Sequence, residues 1–193
     1  MKTTVTVTWM GATYQINTRD TQRERLYRAE WLAFSGADDV LGARTLEDAQ
    51  RYAEHVLQSE TFSKLRRERG FNTPAYKLLT VERAASNSSA QAFPAQWRIR
   101  IPDWGTTKHV ILHELAHLIC GPSVGHHWTF VRAYEDLVSR FMGAEQARGL
   151  RAAYKKYKVK RAPPRRMTDE QRAALAARGT AALAKWKSRK DAA

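Results

Sequence analysis

The sequence predicts an α+β fold, a small mixed sheet with helices around it, and three observations carry that expectation. Residues 97–101 alternate, with Trp97, Ile99 and Ile101 on one side and Arg98 and Arg100 on the other, which is the period of a half-buried strand. After a short turn comes His113-Glu114-Leu115-Ala116-His117, inside a stretch of helical spacing. Several further segments repeat apolar residues every three or four positions, the pattern of helices that bury one face. The 193 residues suit one compact domain of roughly 150 residues with an appendage.

In chain order, Val5, Val7 and Trp9, then Tyr14 and Ile16, alternate around Gly11 and predict a hairpin, so residues 1–19 are expected to be an N-terminal extension. The main domain is expected over 20–160. Asp20 is placed to cap a helix to about Phe34, with Leu26, Ala29 and Trp31–Phe34 as its apolar stripe. Residues 35–44 form a loop. Thr45 and Asp48 have the spacing of a capping box, and the helix they begin reaches about Leu57 or continues to Leu65. His55 on it is a surface or half-buried position. Residues 76–81 predict a strand from Leu78, Leu79 and Val81, and the small, polar stretch 84–94 a connecting loop.

Pro102 ends the strand at 97–101, and either Thr106 or Thr107 can cap the next helix, expected over 108–120 with Ile111, Leu115 and Leu118 toward the core. Gly121 and Pro122 stop it. Helices follow at 128–142, through Phe130, Val131, Tyr134, Leu137 and Phe141, and at 144–158 beyond Gly143. Residues 161–193 read as a basic linker with two prolines and then a helical tail over 168–188, capped by Thr168. Net charge is +14 for the chain and +11 from Arg151 onward, so the basicity is regional. Such a tail suits nucleic acid, an acidic protein or an anionic surface. The alternative is a solvated tail with no ligand.

The chemistry is concentrated between 109 and 127, which holds five of the six histidines. An H-E-x-x-H string on a helix sets two imidazoles one turn apart on one face, where both reach a single Zn²⁺, and the glutamate between them faces the water that such a metal activates. A strand, a short turn and this helix are the arrangement of a zincin-type metallohydrolase. Catalytic zinc usually takes three protein ligands and keeps one position open. His126 and His127 both qualify as the third. Cys120, the single cysteine, is either a weaker alternative ligand or a small buried apolar residue. It excludes an intramolecular disulfide and fits a reducing interior. No apolar run spans a membrane and no signal peptide opens the chain, so the expected location is cytoplasmic.

The run Arg23-Glu24-Arg25-Leu26-Tyr27-Arg28-Ala29-Glu30, the Thr45 helix, the Trp97 strand, the HELAH string, the HHWTF string at 126–130 and the Tyr154 helix together resemble a family of HExxH metallohydrolases found in actinobacteria and their phages. The resemblance covers about residues 20–160 and implies a zincin-like domain holding Zn²⁺; for a phage-encoded chain the location is the host cytoplasm. Around the motif the chain is also similar to SprT-like metalloproteases, which act on proteins attached to DNA. That resemblance places a histidine four residues before a phenylalanine, so Phe130 selects His126, although His127 stands where the related pattern usually has glycine. It is not a metzincin, because Cys120 and Ser123 occupy the positions that pattern reserves for glycine and histidine.

The expected function is zinc-dependent peptide hydrolysis. His113, His117 and His126 hold the metal and Glu114 is the general base toward a protein or peptide substrate. The strand at 98–101, were it a sheet edge, would pair with an extended substrate. Tyr154 or Tyr157 is a possible oxyanion donor. Two other classes use the same residues: a zinc hydrolase of non-peptidic amides or esters, and a nucleic-acid-binding or phage-associated interaction protein with a structural or vestigial zinc site. An intact Glu114 argues against the last, since a structural site does not need it.

Overall fold

In the computed structural model, which describes residues 4–9, 12–17, 20–37, 39–42, 44–72, 78–85, 89–121 and 124–163 and a few positions between 170 and 180, the fold is α+β. The chain divides into two compact units, 1–163 and 164–193. In the second unit Glu170, Ala173, Ala174, Ala177, Arg178 and Thr180 are helical, and the rest of the helix expected at 168–188 lies outside the described residues.

The N-terminal alternation forms an antiparallel hairpin, β1 (Thr4–Trp9) and β2 (Ala12–Asn17), with Thr4 opposite Asn17 and Trp9 opposite Ala12. It is a two-stranded sheet of its own. Among the described residues, six helices follow: α1 (Arg23–Phe34), α2 (Leu46–Leu57), α3 (Glu60–Arg67), α4 (Lys108–Cys120), α5 (Trp128–Phe141) and α6 (Ala144–Lys156). The capping box forms as its spacing requires, with Thr45 accepting from the Asp48 amide at 3.1 Å. The helix does not run on to Leu65. Ser59 interrupts it and recaps, its hydroxyl accepting from Phe62 N at 3.1 Å, so α3 starts afresh.

The second sheet has three strands, β3 (Thr80–Arg83), β4 (Gln91–Phe93) and β5 (Arg98–Ile101), in the order β3-β5-β4. β5 runs parallel to β3 and antiparallel to β4, with Ile99 opposite Val81 on one side and Ala92 on the other. The sheet is mixed as expected, but β5 is its centre rather than its edge. The edge facing away from β3 is β4, inside the stretch that reads as a loop: three residues are too few to show a period. Stacking supports it, because the Arg98 and Arg100 guanidinium carbons lie 4.6 and 5.0 Å from the Phe93 ring centre. Trp97 does not open the strand; at φ 49° it closes the 3₁₀ turn Pro94–Gln96.

The core is built on α4, in which only His109, Lys108 and His117 escape burial. Such an all-round buried helix packs on every side, here against α2, α3, α5 and β4, while α6 covers α1 and α5. Its N-terminus is capped differently from expectation. Asp39, from the loop after α1, accepts from Lys108 N through its carbonyl at 2.8 Å and from His109 N through its carboxylate at 3.2 Å. Thr106 instead donates to Asp103 O at 3.3 Å, and Thr107 Oγ1 has no partner among the described residues. The C-terminus ends at Gly121, where φ is +78° and a β-carbon would sit 2.7 Å from Phe71 Cζ. The described residues contain no helix long and apolar enough to cross a membrane.

Candidate metal centre

α4 carries His113, Glu114 and His117 on its inner turns, the loop before α5 supplies His126, and the first turn of α5 supplies Phe130. One ring nitrogen of each of His113, His117 and His126 lies within 4.8 Å of the others, close enough to bind one metal ion. His113 and His126 approach most closely, with their Nε2 atoms 3.1 Å apart. His126 is buried, whereas His127 is the residue preceding α5, and its Nε2 is not part of the cluster. Phe130, fully buried one turn into α5, forms the floor: its ring centre is 4.3 Å from that of His117 and 4.9 Å from those of His113 and His126. Cys120 is not in the cluster; it is buried against Arg69, Arg66 and Thr129, and its thiol is pushed up by that burial. His55 is exposed, with Phe141 against its edge.

Two carboxylates from the first helical region back the imidazoles. His113 Nδ1 meets Glu30 Oε1 at 2.9 Å and His126 Nδ1 meets Asp20 Oδ2 at 2.5 Å. With Nδ1 turned outward onto a carboxylate in each case, Nε2 is the nitrogen that faces into the cluster. Asp20 therefore does not cap α1. That helix starts at Arg23 with Gln22 before it, and the Gln22 side chain reaches instead to His126 O at 2.5 Å. Its Nε2 makes that donation, and its Oε1 accepts from Lys160 N at 2.9 Å, so a single buried glutamine joins the histidine loop to the end of the unit.

Sequence pattern marks none of these three supports clearly. Glu30 left one signal, an acid in the same stripe as Leu26, Ala29 and Phe34, where a charge is costly without a partner. Asp20 and Gln22 left none, since their partners lie more than one hundred residues away.

The charge balance follows from burial. Burial holds the His117 imidazole well below the usual range, helped by the neighbouring His113 and His126. His126 is also lowered by burial, which outweighs the pull of Asp20. At His113 burial works against the proton, but Glu30 and then Glu114 overcome it and raise the pKa. Glu114, 4% exposed, is pushed up to about 7 chiefly by burial, with His113 opposing and Glu30 adding.

A cavity of about 500 Å³ opens over the cluster, lined by Glu114, His117 and His126 on one side, by Arg23 and Tyr27 of α1 on another, and by β4. Tyr27 lies with its ring centre 5.2 Å from that of His126 and 5.7 Å from that of His113, and burial raises its phenol to about 12. Tyr154 is fully buried in α6 and Tyr157 ends that helix; neither lines the cavity. The phenol that lines the cavity is therefore Tyr27, not either of the two expected from the sequence. No protein-family model, curated protein or solved structure matches the chain.

Proposed function

We propose that this protein belongs to the metal-dependent hydrolases, with a zincin-like catalytic domain. More particularly, we read it as a zinc metallopeptidase that uses Glu114 as its general base. The observation that carries the reading is the pair of Nε2 atoms 3.1 Å apart, each backed by a carboxylate on Nδ1. Two imidazole nitrogens that ligate one metal ion stand about this far apart, and carboxylate–histidine pairs are the usual support of a metal-bound imidazole. Imidazole nitrogens with an open side suit zinc. His113, His117 and His126 would hold it.

Zinc, when bound, supplies a Lewis acid that activates water and polarises a carbonyl. The remaining steps belong to the chain. With a pKa near neutrality, Glu114 takes a proton from the attacking water and returns it to the leaving nitrogen. Tyr27 stays protonated at neutral pH and can donate to the oxyanion that develops. β4, the outer strand of the sheet among the described residues and part of the cavity wall, takes the place of 98–101 as the strand on which an extended peptide would pair. Arg23 adds a cation at the mouth.

Elemental analysis and turnover test the proposal together. The full chain should carry about one zinc, lost in His126→Ala and kept in His127→Ala. Glu114→Gln should keep zinc and lose at least about 100-fold in peptide hydrolysis. Full activity in a zinc-loaded Glu114→Gln protein would remove the base role, and a chain that takes up no zinc would remove the class. Small amides and esters run beside peptides separate a peptidase from a non-peptidic hydrolase.

Residues 164–193 carry eight Lys and Arg against three acids, and this net +5 supports a second component, in which the tail brings the catalytic unit to a polyanion such as DNA carrying its protein substrate. Binding to DNA should weaken steeply with salt and be lost on removing 164–193. Unchanged affinity in the truncated protein would end this component.

A further inference from the structure

Beside the metal cavity lies a second one, of about 300 Å³, and its walls differ in kind. Trp31, Trp104, Tyr27, Val110 and Ala90 make it largely apolar. Three of its aromatic side chains are held in the open: Trp31 is 71% exposed, Trp104 51% and Tyr27 42%. Tyr27 and Trp31 stand one helical turn apart on α1, while Trp104 comes from the 3₁₀ turn Asp103–Gly105 just before α4. Large aromatics gathered around a concavity are the lining of a ligand site rather than a random surface.

The polar groups at its base are already engaged. Glu30 holds His113, and His109 is paired with Asp39 and stacked on Phe34 at 4.9 Å. The polar group of the wall that also faces substrate is Glu114, and Glu114 and Tyr27 line both cavities. The two spaces therefore meet at the proposed base. A ligand whose carbonyl sits at the metal cluster has its neighbouring side chain at the entrance of the apolar cavity.

Resting on the peptidase reading above, we infer that this cavity is a specificity subsite, one that receives an aromatic or large apolar side chain of the substrate residue next to the scissile bond. Filling it expels on the order of ten waters from apolar walls. This favours a benzyl over a methyl side chain by about tenfold or more.

The test needs no turnover. Two hydroxamates, identical except for a benzyl or a methyl group beside the chelating head, are titrated into the zinc-loaded full chain. The benzyl compound should bind at least about tenfold tighter. In Trp31→Ala and Trp104→Ala that preference should fall below about threefold, with zinc content and affinity for the methyl compound unchanged, and Trp31→Phe should restore most of it. Equal affinity for the two compounds in the wild type, or a preference untouched in both alanine variants, overturns the subsite. Peptide hydrolysis with no benzyl preference would leave the peptidase reading standing without it. A benzyl preference with no hydrolysis of any peptide would do the reverse. Binding of neither hydroxamate overturns both.

Discussion

Asp20 Oδ2 lies 2.5 Å from Nδ1 of His126, and the two residues are 106 positions apart. The contact fixes which His126 nitrogen faces His113. Burial pushes the Asp20 carboxyl up, but the hydrogen bond and charge of His126 outweigh it and leave the carboxyl below its ordinary value. In Asp20→Asn the amide keeps the shape and loses the charge that makes the imidazole a strong ligand. Zinc affinity should fall about 10- to 100-fold, read by competition with a chelating dye, while the thermal midpoint of the metal-free protein moves little. Undiminished affinity would reduce Asp20 to a packing residue.

His113 makes a different pH prediction. Burial alone would discharge it, but Glu30 and Glu114 raise its pKa, so in metal-free protein slightly below neutrality the His113–Glu30 pair keeps a proton. A metal must displace that proton. His117 and His126, both lowered, are already neutral there. Calorimetry at pH near 6.5 in buffers of different ionisation enthalpy should report release of about one proton per zinc, and affinity should rise with pH through this range. Glu30→Gln should shrink the release, because the unsupported imidazole arrives neutral. Proton uptake, or none in the wild type, would contradict the assignment.

The parts legible in the sequence are those with short-range causes. The H-E-x-x-H spacing, the Thr45–Asp48 capping box and the alternation at 98–101 each depend on residues a few positions apart, and each appears where its spacing puts it. His126 joins the cluster as the register to Phe130 implies. What stayed hidden depends on distant partners. The edge strand β4 exists because Ala92 and Phe93 find β5, not because three residues have strand character. Thr106 and Thr107 look like caps, but the loop after α1 brings Asp39 to the same amides and displaces them. The apolar cavity joins one face of α1 to a turn more than seventy positions later.

That displaced cap can be tested by comparing two variants. Asp39→Ala removes the acceptor for His109 N and the partner of the His109 ring, and should cost about 1–2 kcal/mol in denaturant unfolding of the metal-free protein. Thr107→Ala should cost nothing of this kind, since the Thr107 hydroxyl makes no cap bond. A larger loss in Thr107→Ala than in Asp39→Ala would reverse the assignment and restore the local cap.

Gln22 offers the sharpest separation of geometry from composition. Its amide nitrogen donates to His126 O at 2.5 Å and its amide oxygen accepts from Lys160 N at 2.9 Å, with the side chain 6% exposed. Gln22→Ala strands the buried His126 carbonyl and leaves the part-buried Lys160 N–H without its acceptor, at a cost of about 1–3 kcal/mol. Gln22→Glu is nearly the same shape and still accepts from Lys160 N, but it turns a carboxylate oxygen toward the His126 carbonyl, where two acceptors repel. If the glutamine positions the third ligand, Gln22→Glu should weaken zinc binding at least as much as Gln22→Ala, although it preserves the link to Lys160. If it serves only to fasten the end of the unit, Gln22→Glu should bind zinc like the wild type. Chelator competition on both variants, beside their unfolding midpoints, decides between the two roles.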